Sequence, residues 1–381
     1  SNKKMSNYFL KSINNQIIKS IDVHTHMYLP GYMNILRKRK DIPRIITTTT
    51  TNNNNNNNTT ERLIILPGED IEKTTNIGRP IGREYWDIQA KLYYMNQHHI
   101  DKSIISLANP WLDFLEGNEA EAIAQELNDE LQNICENSNN RIYGFATLPI
   151  KNTKASVKEI ERISKLSHIR GVILGTPGAG KGLDHEGVRD ILAAIEDKGL
   201  MIFLHPHYGV GNEHYHDSGH ALFLALGFPF ETTVSVSRLI VSGTFDRFPK
   251  LKLLVAHAGA ALPSLIGRLD SCVAHDISIA NRLLHKPSDY LRRLYFDAIS
   301  YSSPSINSLI EHVGEDRIMF GTDNPFFPPP SPSGETSSLD SRGFSTELWP
   351  STVKVYETMK EMPLSRQEKI AHGNAKNILN L

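Results

Sequence analysis

Short apolar runs recur along the chain, separated by longer stretches in which apolar residues return every three or four positions. The runs are IDVHTH within a strand expected to start at residue 17, SIISLA at 103–108, IYGFATL at 142–148, GVILG at 171–175, MIFLH at 201–205, LKLLVAH at 251–257, LYFDA at 294–298 and RIMFGTD at 317–323. Each reads as a short apolar run, as expected of a strand buried on both faces. Helical periodicity covers residues 85–98, 119–138, 157–166 and 186–198. Eight buried strands separated by helices predict an α/β fold of the closed (β/α)8 type, a TIM barrel. The competing arrangement is a doubly wound open sheet, but no glycine-rich dinucleotide fingerprint follows the first strand. The segment PGAGKG at 177–182 lacks the spacing and the hydroxyl residue of a phosphate loop and reads as a β-to-α connection.

The expected organisation is one domain over residues 1–381, with residues 17–83 holding the first strand and an irregular insertion. Within the insertion lies TTTTTNNNNNNNTT, residues 47–60. Such a polar tract buries almost nothing apolar and is expected to form a mobile surface excursion.

Composition narrows the function classes. Of 381 residues, 39% are apolar, enough for a large core, and the formal net charge of −1 gives no bulk attraction to nucleic acid or anionic lipid. No apolar run reaches the length of a membrane span, and the first residues lack the apolar core of a signal peptide. The two cysteines, Cys135 and Cys272, do not make a disulfide framework. These features predict a cytoplasmic protein.

Chemistry enters at the strand ends. His24 and His26 end the first run, His205 ends MIFLH, His257 ends LKLLVAH and Asp323 ends RIMFGTD. In a barrel all C-terminal strand ends open at one mouth. Alternate residues of a strand point the same way, so His24 and His26 can aim at one ion with Thr25 turned outward. Imidazoles with a carboxylate suit a divalent first-row ion, zinc foremost. His257 is readable either as a further ligand or as a proton-transfer base. Asp323 also has a bland reading as a cap before Pro325. His207, His214, His216 and His220 crowd the connection after MIFLH, and only His207 stands out as a candidate for contact with a substrate.

Read in order, IDVHTHMYLP, HIDKSIISLANPW, GFATLP, GVILGT, LHPH, GFPFETT, FPKLKLLVAHAGA, LPSLIGR and MFGTDNPFFPP resemble the aminocarboxymuconate-semialdehyde decarboxylase family of the amidohydrolase superfamily, with its isoorotate (5-carboxyuracil) and resorcylate branches. The resemblance implies a distorted, amidohydrolase-like barrel with one divalent ion, zinc, held by His24, His26, His205 and Asp323. It implies His257 as catalytic histidine and Asp323 as a second proton-transfer group. Arg79 would bind a substrate carboxylate, with Arg83 as second choice. Asn109, Phe326 and the loop from Trp111 to Phe114 would line the substrate pocket. The implied reaction is non-oxidative loss of CO2 from an unsaturated or aromatic carboxylate. Both 2-amino-3-carboxymuconate 6-semialdehyde, from tryptophan catabolism by the kynurenine route, and 5-carboxyuracil, from pyrimidine salvage, fit. The muconate branch carries an arginine eight residues after the Gly-Arg motif, where this chain has Asp276. The resemblance further implies a homodimer.

Two other readings compete. A metal-dependent hydrolase of the same superfamily shares the His-x-His start, but the fourth strand, GVILGT, offers no lysine to bridge two metals. A non-catalytic scaffold using the Thr/Asn tract as an arm would have no use for five aligned strand-terminal ligands.

Overall fold

The structure is a computed structural model that describes residues 6–51, 57–70, 77–329 and 339–381. Eight parallel strands form its main sheet: β1 (Ser20–Met27), β5 (Ile100–Leu107), β6 (Ile142–Ala146), β7 (Ile169–Gly175), β8 (Met201–His205), β9 (Lys252–Val255), β10 (Tyr295–Asp297) and β11 (Ile318–Met319), in that spatial order. Every residue of β1, β6 and β8 is buried; β6 and β8 are accordingly almost wholly apolar, whereas β1 buries Ser20, Asp22, His24, Thr25 and His26. The remaining strands, β2 (Arg44–Thr51), β3 (Asn57–Ile64) and β4 (Arg79–Pro80), form a separate antiparallel sheet.

The barrel closes where β1 meets the chain after β11. The amide of Val23 donates to Phe320 O at 3.0 Å, Asp323 N to His24 O at 2.7 Å, and His26 N to Asn324 O at 2.7 Å. Lys91 seals this seam from outside. It lies on helix α2 (Ile88–Gln97), following α1 (Pro30–Lys38), and its side chain is buried against the barrel. Its ammonium donates to Thr25 Oγ1 at 2.7 Å, to His26 O at 3.0 Å and to Asn324 Oδ1.

Outer helices follow the strands as expected: α3 (Gly117–Glu136), α4 (Thr153–Ile163), α5 (Arg189–Asp197), α6 (Phe228–Val241), α7 (Leu262–His275) and α8 (Ser303–Val313). Polar side chains start several of them. Asp87 accepts from Gln89 N at 2.8 Å and Asn152 from Ala155 N at 3.0 Å, each satisfying an otherwise orphaned amide.

The region between β1 and residue 83 departs from the irregular excursion expected. It contains α1 and the β2–β3 hairpin, with Thr47 paired to Glu61 and Thr49 to Thr59. Threonine is β-branched and favours extended backbone even when its side chain stays exposed. The tract's residues 52–56 lie outside the described residues. β4 joins the hairpin through Leu63 and Arg79, so the insertion delivers Arg79 to a fixed place. By length and composition one helical stretch, Phe223–Val241, could cross a membrane; its apolar window is 44% buried within the fold. PGAGKG is a turn-rich connection after β7, as read from its spacing.

Candidate metal centre

Five strand-terminal side chains meet at the mouth. His24 Nε2 lies 3.1 Å from both His26 Nε2 and Asp323 Oδ1. His26 Nε2 is 3.3 Å from the same Asp323 oxygen, and His257 Nε2 is 3.4 Å from Oδ2. The rings of His26 and His205 have centroids 4.6 Å apart. One ligand atom from each of His24, His205, His257 and Asp323 falls within 4.8 Å of all the others.

The outer partners of these rings decide which nitrogen faces the centre. His24 Nδ1 donates to Asp297 Oδ2 at 2.7 Å, since an ionised carboxylate only accepts, and Nε2 is left inward. His205 Nδ1 donates to Pro206 O at 2.7 Å, leaving a buried Nε2 with no partner. His26 Nδ1 sits 2.9 Å from Ser106 Oγ. Rings held by a hydrogen bond at one nitrogen, with the other aimed at a common point, match the way proteins orient metal ligands.

Electrostatics agree. Burial lowers His24, but Asp323 and Asp297 outweigh it and raise its pKa to about 10. His26 is pushed down to about 4, mainly by burial, and His205 falls well below its ordinary value through burial and its neighbouring histidines. Asp323 and Asp297 both stay below the usual carboxylate range although burial opposes this, because histidines and hydrogen-bond donors surround them. His26 and His205 are neutral and Asp323 is ionised, while the two carboxylates hold a proton on His24 at the point where a cation would replace it, so the residues fit a divalent ion.

Backbone conformation also concentrates here. His257 (φ 56°), Ala258 (52°), Tyr301 (55°) and Asp323 (61°) adopt the left-handed region just after their strands. Such conformations are uncommon for these residue types and gather at functional sites. Gly321 permits a close approach: a Cβ there would lie 2.9 Å from the Cβ of His24.

Several buried polar atoms near the cluster have no hydrogen-bond partner within the protein. Tyr28 Oη, Asn109 Oδ1, Trp111 Nε1, His205 Nε2, His257 Nδ1, Tyr301 Oη and Asn324 Nδ2 are among them, and all belong to ends or extensions of barrel strands. Each such atom left dry costs about 1–3 kcal/mol.

The candidate pocket residues divide. Asn109 is buried and its Nδ2 donates to His207 Nδ1 at 2.6 Å. Phe326 packs on His26 with centroids 5.6 Å apart, and Trp111 on His205 at 6.1 Å. Arg79 is held by Glu69 Oε1, at 3.2 Å from Nε and 2.5 Å from a terminal nitrogen. Glu69 is itself fixed by the amides of Ile65 and Leu66 at 2.8 and 2.9 Å. Arg83 points elsewhere: it pairs with Asp87, donates to Arg342 O at 2.6 Å and lies over Phe344. His207 is buried, whereas His214, His216 and His220 are exposed. Asp276 caps the turn of helix after α7, accepting from Ser278 N at 3.1 Å.

Sequence reading missed Asp297, Lys91 and Asp22. Asp22 accepts from Thr322 Oγ1 at 2.6 Å and from His24 N at 3.1 Å, bracing both sides of the seam. Burial raises Asp22 and lowers Lys91. Asp297 ends LYFDA and obeys the same strand-end rule as the other site residues, so a signal existed. A lone lysine on a helix gives none.

Comparison with known proteins agrees with this geometry. A 2-amino-3-carboxymuconate-6-semialdehyde decarboxylase of Dictyostelium discoideum is 26% identical over 307 residues, 80% of this chain and 79% of that one. The apo crystal structure of Metarhizium anisopliae IDCase superposes with a TM-score of 0.84 at 35% identity, covering 95% of this chain and 97% of the other. The fold is shared with 5-carboxyvanillate decarboxylase of Novosphingobium aromaticivorans in complex with manganese and 4-hydroxy-3-methoxy-5-nitrobenzoic acid: TM-score 0.73, 21% identity, 98% and 99% coverage. The sequence profile of the amidohydrolase family matches residues 21–381, and the chain belongs to that family.

Proposed function

We propose that the chain is a metal-dependent, non-oxidative carboxy-lyase acting on an unsaturated or aromatic carboxylate, and that its substrate is 5-carboxyuracil. The observation that carries the reading is the convergence of His24, His26, His205, His257 and Asp323 in a family whose similar members are decarboxylases. The choice of substrate rests on the 35% identity to IDCase, read as isoorotate decarboxylase, and on the unpaired buried Oδ1 of Asn109. That oxygen accepts a ring N–H, which a pyrimidine supplies. 2-Amino-3-carboxymuconate 6-semialdehyde is the second reading, supported by the Dictyostelium relative.

In this reading His24, His26, His205 and Asp323 hold one divalent ion, zinc or manganese. When bound, it acts as a Lewis acid on a substrate oxygen or on water. His257 is left for proton transfer. Its side chain is 16% exposed, whereas those of His24 and His26 are fully buried, so it is the histidine of the cluster that substrate and solvent protons reach. With Asp323 Oδ2 3.4 Å away, the pair delivers a proton to the ring carbon that bears the carboxylate. Protonating that carbon first avoids an sp² carbanion. The C–C bond then breaks, its electrons return to the ring, and CO2 departs. The free terminal nitrogen of Arg79 meets a carboxylate oxygen, Asn109 fixes the ring edge, and Phe326 and Trp111 wall the ring.

The functional unit in this reading is a homodimer. Leu222, Leu226, Phe230 and Val234 are each 38–45% exposed at steps of four along one helical stretch, an apolar face that a second copy would cover. Free thiols at Cys135 and Cys272 are compatible with the cytoplasm. Side-by-side assays decide the substrate: uracil formation from 5-carboxyuracil against absorbance loss of the muconate. Turnover of the muconate alone would reverse the assignment, and turnover of neither, with hydrolysis of a lactone or amide, would return the chain to the hydrolases.

A further inference from the structure

Glu231 is a buried carboxylate on α6, outside the metal cluster and outside every pocket position inferred above. Four donors from two other strand ends converge on it. The amides of His207 at 2.9 Å, Tyr208 at 2.5 Å and Gly209 at 2.5 Å donate to its oxygens, and Thr176 Oγ1 donates at 3.1 Å. Three consecutive amides turned onto one side chain fix the direction of that backbone. No regular element does so, because residues 206–209 follow β8 as an open connection.

What the connection carries gives this anchor a consequence. His207 Nδ1 accepts from Asn109 Nδ2 at 2.6 Å, and that bond turns the amide so that Asn109 Oδ1 stays buried and unpaired. His207 is itself buried, so its ring has little freedom beyond what its backbone allows. Tyr208 reaches the loop after β5 through its hydroxyl, which donates to Asp113 Oδ2 at 2.5 Å. Burial raises the pKa of Glu231, and the donors from His207, Gly209, Thr176 and Tyr208 counter it.

We infer that Glu231 is a positioning residue for substrate recognition: it holds the 207–209 backbone so that His207 orients the Asn109 amide toward the substrate. The role rests on the decarboxylase reading only in its kinetic consequence; the orientation of His207 and Asn109 does not. Glutamine at this position keeps the shape and one acceptor oxygen for the Tyr208 and Gly209 amides but sets an NH2 against the His207 amide, so the anchor is weakened at His207 without a cavity.

The test compares Glu231→Gln, the milder Thr176→Val, Asn109→Ala and the Glu231→Gln/Asn109→Ala double variant. Metal content is measured alongside kcat and KM on whichever carboxylate the wild type turns over. Selective 15N-imidazole NMR of His207 serves as a readout independent of substrate. Glu231→Gln is expected to keep its metal, raise KM at least tenfold, change kcat less than threefold and shift the His207 Nδ1 resonance. Thr176→Val should raise KM twofold to fivefold. The double variant should fall within threefold of Asn109→Ala, because both changes act through one hydrogen bond. A residue needed only for folding would lower the melting temperature, leave KM of the folded protein unchanged and combine additively with Asn109→Ala. An unshifted His207 resonance in folded Glu231→Gln overturns the inference, as does an unchanged KM. A shifted resonance in a protein whose wild type turns over neither carboxylate sinks the decarboxylase reading and leaves the positioning role standing.

Discussion

His24 and Asp297 are bound 2.7 Å apart, Nδ1 to Oδ2, at the C-terminal ends of β1 and β10. The same carboxylate accepts the amides of His257, Ala258 and Ile299, each at 2.9 Å. One buried aspartate therefore sets the tautomer of a metal-facing histidine and the backbone of the proposed proton-transfer histidine together. Asp297→Asn is expected to lower metal affinity about 10–100-fold, the usual cost of losing such an outer partner. Isothermal titration of the metal-depleted variant checks this, and unchanged affinity would show that Asp297 only shapes the backbone.

His257 and His205 should separate cleanly. His205→Ala removes a buried, inward nitrogen and is expected to lose metal and activity together. His257→Ala is expected to retain most metal while kcat falls about 10²–10⁴-fold, the range for removal of a general acid–base group. Elemental analysis beside turnover numbers distinguishes them. Loss of metal in His257→Ala would make it a ligand, as its place among four atoms within 4.8 Å allows.

Arg79→Met should act on binding. A charge-assisted hydrogen bond contributes about 1.5–3 kcal/mol, so KM is expected to rise roughly 10–100-fold with kcat little changed. Arg83→Met, on the surface, serves as the control and should leave KM within error.

Asp113 supplies a pH dependence away from the metal. Burial raises its pKa from 3.8 to about 6, partly countered by the Tyr208 hydroxyl. An acid whose folded pKa lies above its unfolded value costs stability once ionised: the fold is favoured most below about pH 4 and loses that increment as pH rises toward 6. Asp113→Asn should abolish this slope. Denaturant midpoints from pH 4 to 7 test it, and parallel curves for the two proteins would refute it.

The apolar face on α6 makes its own prediction. Phe230→Glu with Val234→Glu should convert a dimer to a monomer by light scattering, with the fold intact by circular dichroism. A monomeric wild type would remove the homodimer from the account.

Barrel and site were legible to different depths. Strand-end residues such as His205 and Asp323 could be found because a closed parallel sheet gathers its C-terminal ends at one rim, whatever lies between them. Asp297, which ends β10 within LYFDA, is open to the same reasoning. Lys91 carried no signal and Glu231 only its place within GFPFETT: each sits on a helix, where charged residues are ordinarily solvated, and only packing shows them buried. The hairpin of β2 and β3 was obscured because polar threonines mask extended-chain preference when burial is the criterion. Arg79 and Arg83, first and second choice in the sequence, differ in surroundings: Arg79 pairs with buried Glu69, and Arg83 with Asp87 at the surface.

The central claim is that a bound divalent ion and the strand-end histidines remove CO2 from 5-carboxyuracil. Its most direct test is simultaneous measurement of uracil and released CO2 with metal-depleted protein, before and after one equivalent of zinc or manganese. The account predicts negligible turnover in the depleted protein and one CO2 per uracil on restoration, with no restoration in His205→Ala. Undiminished turnover by protein shown to hold no metal would contradict it.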